Sequence, residues 1–324
     1  MRITRGRSTA IILVLLGALL AVVPASPAPA AGSDIHVPAD LPTIQLAIDA
    51  SGGGRTVVVA PGIYRERLNF NGRQVHVRSA GGPVATIIDG GGTGPAVAFA
   101  QSETRDAVLR GFTVRNGNPS GIVILGASPT ITDNVIVGNS AEVGAGIVVA
   151  DSSARIEQNV IRGNAASRAG GGVYLYQATG AEAVANTIEY NSAPTGGGMA
   201  LGDAATPLVR DNVLRGNQAS FDGGGMSIEG LSRPLVSQNV FVDNDSSYRG
   251  GALNISTPVA EQGATLANNT LVGNRASLGA TVYSRGDWMA VNNIMSGPPT
   301  TEVVRCEDSI PGRFFYNDVY NGTA

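Results

Sequence analysis

Asn134-Val-Ile-Val-Gly-Asn139 decides the fold, because the chain repeats it. The copies are Asn159-Val-Ile-Arg-Gly-Asn164, Asn186-Thr-Ile-Glu-Tyr-Asn191, Asn212-Val-Leu-Arg-Gly-Asn217, Asn239-Val-Phe-Val-Asp-Asn244 and Asn269-Thr-Leu-Val-Gly-Asn274. Gly111-Phe-Thr-Val-Arg-Asn116 and Asn293-Ile-Met read as weaker copies at either end. From Asn134 to Asn293 the first asparagines lie 25, 27, 26, 27, 30 and 24 residues apart, a period that signals a repeat architecture. Each copy is a short apolar run between polar corners, the pattern of a strand.

Between copies lies a second strand led by glycines: Gly146-Ile-Val-Val, Gly172-Val-Tyr-Leu-Tyr, Gly198-Met-Ala-Leu, Gly225-Met-Ser-Ile and Gly251-Ala-Leu-Asn-Ile. A third precedes each first asparagine, as in Ala154-Arg-Ile-Glu and Pro207-Leu-Val-Arg. Three short strands per period, with Gly and Asn at the corners, describe one coil of an all-β, right-handed parallel β-helix of about eight or nine coils. Alternation then points Val173 and Leu175 inward and Tyr174 and Tyr176 outward. The asparagines suit corners that need left-handed backbone, and their stacked side chains can bond along the coil axis.

Composition narrows the chemistry. The chain has 324 residues, 43% of them hydrophobic, and a net charge of -3, so it can bury a core and carries no basic footprint for nucleic acid. All 22 cationic side chains are Arg, which excludes lysine bases, Schiff bases and a P-loop lysine. His36 and His76 are the only histidines, too few and too near the N-terminus for a catalytic triad or a histidine-rich metal site in the repeats. The lone Cys306 allows no internal disulfide.

Residues 1–30 read as a secretory signal peptide: Arg2, Arg5 and Arg7, an apolar run over 10–23, then the small-residue site Ala28-Pro29-Ala30. That run is shorter than the roughly 20 residues of a membrane span, so the mature chain is expected outside the cytoplasm, extracellular or periplasmic, with no transmembrane segment. Residues 31–54 are expected to form an N-terminal cap, in which Ile44, Ala47 and Ile48 line one side of a short helix. The β-helix is assigned to 55–296. Residues 297–324 form a C-terminal segment that is either cut short or covered by another molecule.

The opening Ile35-His-Val-Pro-Ala-Asp-Leu-Pro-Thr-Ile-Gln-Leu-Ala-Ile48, then Thr56-Val-Val-Val-Ala-Pro-Gly-Ile-Tyr64 and Thr86-Ile-Ile-Asp-Gly90, resembles secreted right-handed parallel β-helix repeat proteins of the pectin-lyase-like superfamily. The resemblance covers nearly all of the mature chain. It implies that the helix covers the first coil and that polysaccharide binds along the strand after the glycine corner. The aspartate trio, His-Gly and Arg-Ile-Lys segments of polygalacturonases and the Asp-Pro-His-Asp of mannuronan epimerases have no counterpart here.

Stacking makes columns. Ahead of the glycine corners, Glu142, Arg168, Pro194, Phe221 and Tyr248 align; one residue later come Val143, Ala169, Thr195, Asp222 and Arg249. Glu142 should pair with Arg168, and Asp222 with Arg249. Arg162, Glu189 and Arg215 form a separate column of alternating charge, read as cross-strand ion pairs. Outward residues beyond the corner are Tyr174, Tyr176, Asp203, Glu229, Asn254 and Ser256, with Phe221 and Tyr248 at the rim. Aromatic faces beside carboxylates and an Arg suit a saccharide groove, with Tyr174, Tyr176, Asp203, Phe221, Tyr248 and Asn254 as substrate contacts.

Three readings follow. The first is a secreted protein that binds extracellular polysaccharide or a cell surface without catalysis. The second is a polysaccharide lyase performing β-elimination on uronic acids, with Asp222, Glu229 and Arg249 at the reaction and Ca²⁺ recruited by Asp203, Asp222 and Glu229. The third is a structural protein that self-associates through its open C-terminal coil.

Overall fold

The computed structural model describes residues 32–258, 263–307 and 313–322. The leader expected over 1–30 lies outside the described residues. The fold is a parallel β-solenoid of about eleven turns with one short helix.

Three long parallel sheets form its faces. Face I stacks 12 strands, from Ile35–Val37 to Arg313–Phe315. Face II stacks 11, from Gly62–Tyr64 to Asp318–Asn321, and carries the asparagine-flanked runs. Face III stacks 10, from Leu68–Asn69 to Val304–Glu307, and carries the strands that follow the glycines. A ribbon of five short strands, from Ser140–Val143 to Asp245–Ser246, bridges faces II and III.

One or two residues of most face strands enter a continuous core that runs from Ile35 to Val303. Val173 and Leu175 are buried while Tyr174 and Tyr176 are half-buried, as alternation requires. The helix Ile44–Ala50 buries Ile44, Ala47 and Ile48 and packs on the strands Ile35–Val37, Thr56–Val59 and Leu68–Asn69. It covers the core of the first coil.

The asparagines form two ladders. In the first, each side chain from Asn159 to Asn317 accepts through Oδ1 from the backbone N–H and Nδ2 of the asparagine one coil earlier. Asn191, in the second, shows the full set. Its Oδ1 accepts from Asn164 N and Nδ2, both at 3.0 Å, and its Nδ2 donates to Ile161 O at 2.9 Å and Asn217 Oδ1 at 3.1 Å. From Asn134 to Asn293 no ladder side chain is more than 2% exposed.

Three sequence expectations change in detail. The left-handed backbone is not at the ladder asparagines but at the residue before each: Asp133, Gln158, Ala185, Asp211, Gln238, Asn268, Asn292 and Tyr316 all have φ between 55° and 58°. The asparagine keeps ordinary backbone, and its side chain bonds hold the corner. The weak copy at 111–116 is displaced by one. Thr113 pairs with Val135, which sets Phe112 level with Asn134 and Asn116 level with Gly138. Asn116 therefore takes the left-handed place at φ 55° and donates to Asp89 at 2.8 Å. Finally, eight or nine coils is too few. The first coils, built on Thr56–Val59, Gly62–Tyr64 and Leu68–Asn69, close without ladder asparagines, and Asn317 adds a further rung beyond Asn293.

Candidate functional site

The groove is a product of the glycine corner. Gly170, at φ 66°, turns the ribbon directly onto face III, and a Cβ there would meet Val173 O at 2.5 Å and Tyr174 Cβ at 2.9 Å. Gly172 passes under the next coil, where a Cβ would lie 2.5 Å from Gly198 O. Only glycine permits both approaches. The end of the ribbon consequently lies against the outward side of face III. Ala200, Ser227, Asn254 and Tyr283, all outward by register with Tyr174, are no more than 2% exposed.

The columns read from the sequence are present. Val143 pairs with Ala169, Ala169 with Thr195 and Thr195 with Asp222, and a further bridge joins Asp222 to Arg249. Arg168 Nε donates to Glu142 Oε1 at 2.9 Å. Arg249 comes within 4.0 Å of Asp222 Oδ2. On face II, Arg162, Glu189 and Arg215 stand in register, and Arg215 bonds Glu189, away from the groove.

Arg249 is the centre of the arrangement. Its guanidinium carbon lies 4.4 Å from the ring centre of Tyr248 and 4.8 Å from that of Tyr283. Its Nε and Asp222 Oδ1 are buried with no hydrogen-bond partner. Burial holds the Asp222 carboxyl above the usual range, and the Arg249 charge works against the shift. Burial also raises Glu229, whose carboxyl sits close against the face even though the residue as a whole is exposed. Asp222 adds to that shift, while a 3.1 Å hydrogen bond from Ser227 Oγ and the charge of Arg168 oppose it. Tyr283 is pushed up to about 12 by burial and by the hydrogen bond it donates to Glu307.

Tyr174 and Tyr176 stand one strand step apart, their ring centres separated by 6.4 Å and their planes by 21°. Tyr174 lies across Gly202, where a Cβ would meet its hydroxyl at 2.4 Å. Phe221 and Tyr248 are exposed at the rim, at 60% and 42%.

The structure therefore brings Asp222, Glu229 and Arg249 together, with Tyr174, Tyr176, Phe221 and Tyr248 around them. Asp203 and Asn254 take other places. Asp203 sits in a left-handed turn at φ 40° and accepts from Gln177 Nε2 at 3.3 Å. Asn254 points out of the core yet is buried, donating to Ser227 Oγ at 3.1 Å. Tyr283 and Ser227 belong to the site but were absent from the sequence reading. The register that pairs Asn254 with Tyr283 identifies Tyr283, at a corner where Ala280 and Thr281 replace glycines. Among the described residues no three His, Cys, Asp or Glu side chains converge as a metal would require, the Asp203, Asp222 and Glu229 set included. A recess of about 260 Å³ lined by Arg233, Asp287, Trp288 and Arg313 opens on face I instead.

A family model described as the right handed beta helix region matches residues 96–295. The chain belongs to the right-handed β-helix family. No curated protein matches it significantly. The matched span of this right-handed β-helix contains both asparagine ladders up to Asn293, the whole ribbon and every groove residue up to Tyr283. Among the described residues no helix is long and apolar enough to cross a membrane.

Proposed function

We propose that this right-handed β-helix is an exported protein that binds extracellular polysaccharide or a cell-surface glycan along the groove beside the glycine corners. The observation that carries the reading is the half-buried pair Tyr174 and Tyr176, beside Glu229 and Arg168 and flanked by exposed Phe221 and Tyr248. Sugar rings stack on aromatic faces, and carboxylates and guanidinium groups bond their hydroxyls. Successive coils repeat at about 4.8 Å along the axis, so a linear polymer can lie across several of them. Export is supported by the leader pattern at 1–30.

Elimination chemistry draws less support. The lyase reading needs Arg249 to accept a proton, but its guanidinium stacks on two tyrosine rings beside Asp222, an arrangement that suits a fixed cation.

The test is affinity electrophoresis and calorimetry on a polysaccharide panel. Tyr174→Ala and Tyr176→Ala are each expected to weaken binding at least about tenfold while leaving thermal stability nearly unchanged. Retained binding in both variants sinks the groove assignment. The same panel read by ultraviolet absorbance for unsaturated sugar ends is expected to stay flat with or without Ca²⁺. A Ca²⁺-dependent rise that disappears in Arg249→Ala would restore the lyase.

A further inference from the structure

Resting on the polysaccharide reading, the charges of the groove narrow its substrate. Glu229 bears directly on Tyr174 and Asp222 bears on Glu229, and each of these two carboxyls has its ionised form disfavoured by burial. A uronate stacked on Tyr174 and Tyr176 would bring a third carboxylate to this place. It would need an unengaged guanidinium to meet it.

None of the neighbouring arginines supplies one. Arg168 is bonded to Glu142. Arg249 is held between Tyr248 and Tyr283 with Asp222 beside it. Arg305 is engaged by Glu302 and Glu307. Arg285, which register places two coils from Glu229, has a partner as well. Recruiting any of them for a uronate would break an existing contact and leave Asp222, Glu142 or Glu307 less compensated. An uncharged sugar requires no such exchange. Its hydroxyls can donate to Glu229 while its ring lies on tyrosine.

We infer that the groove accepts uncharged sugar units and turns uronates away, its acidic floor acting as the selectivity element. Local excess of one charge sign excludes like-charged ligands more effectively than it strengthens binding of neutral ones.

The full chain would be tested on an array of neutral polymers (glucans, mannans, xylans, galactans) and uronate polymers (polygalacturonate, alginate, hyaluronan) at neutral pH and low salt. Fully methyl-esterified and de-esterified galacturonan serve as a pair that differs only in charge. The expected result is retention by at least one neutral polymer and binding to uronate polymers weaker by about tenfold or more. Added salt should raise whatever uronate binding is seen, because it screens a repulsion. Glu229→Gln should improve uronate binding by about threefold. Uronate binding equal to or tighter than neutral binding, and weakened by salt, overturns the selectivity while leaving the polysaccharide reading intact. No binding to any polymer overturns that reading and the inference together.

Discussion

Polar side chains stack at both kinds of corner, in every ribbon-bearing coil at the asparagine corners and in the last three at the glycine corners, and they differ in how completely they are bonded. In the ladders each asparagine meets its own copy, so the acceptor of one coil fits the donors of the coil before, and the side chains stay buried with their bonds made. At the glycine corners the stacked residues are not alike. Thr195, Asp222 and Arg249 follow one another, leaving Asp222 Oδ1 and Arg249 Nε unpartnered and two carboxyls raised. The same stacking gives closure where the sequence repeats and residual bonding capacity where it does not.

The comparison can be broken first at the ladder. Asn191→Ala removes the side-chain acceptor of Asn164 N–H, one of the two acceptors of Asn164 Nδ2, the side-chain donor to Ile161 O and one of the donors to Asn217 Oδ1, all at buried asparagines or core strands. A loss of about 3–5 kcal/mol is expected in denaturant unfolding, and a loss below about 1 kcal/mol would show that the ladder is not a principal source of stability. Gly172→Ala attacks the other corner. Its Cβ would meet Gly198 O at 2.5 Å and Ile188 Cγ2 at 3.0 Å, and a loss of about 2 kcal/mol is expected, with a crystal structure showing the coils spread at that point.

Glu229→Gln gives the smallest change and the opposite sign. A carboxyl whose folded value is raised disfavours the fold above that value and not below the ordinary carboxylate range. The variant should therefore unfold at a temperature higher by about 1 °C at neutral pH, the gain fading as the pH falls through the carboxylate range. A gain that grows toward acid pH would contradict the raised value. Asp89 offers the contrasting case. Burial tends to raise it, but hydrogen bonds from Asn116, Gly91 and Arg115 together hold it low, so its contribution is present above the ordinary carboxylate value and is lost as the pH falls further.

What could be read from the sequence was whatever repeated. The three strands per period, the inward place of Val173 and Leu175, and the pairings of Glu142 with Arg168 and of Asp222 with Arg249 all follow from aligning copies. The first coils fell inside the span assigned to the β-helix but were undercounted, because they close without asparagine. The shift of one residue at 111–116 escaped because Asn116 resembles a ladder residue while doing the work of the left-handed position before it. Asn254 shows the limit of alternation. A period of two states which side of the sheet a residue takes, but not that the ribbon lies against that side and buries it. Arg249 and Tyr283 meet for the same reason, through a turn of the chain that no single strand contains.

The two ladder asparagines lie five residues apart in all six full copies, although the interval from one of these copies to the next varies from 25 to 30 residues. Face II therefore works as a ruler with fixed divisions. Length differences between coils gather elsewhere, chiefly in the turn from face III to face I, at no expense to the pitch of the rod. For an engineer or for evolution that turn is a place to graft new loops, coil by coil, beside the groove whose contents they could alter.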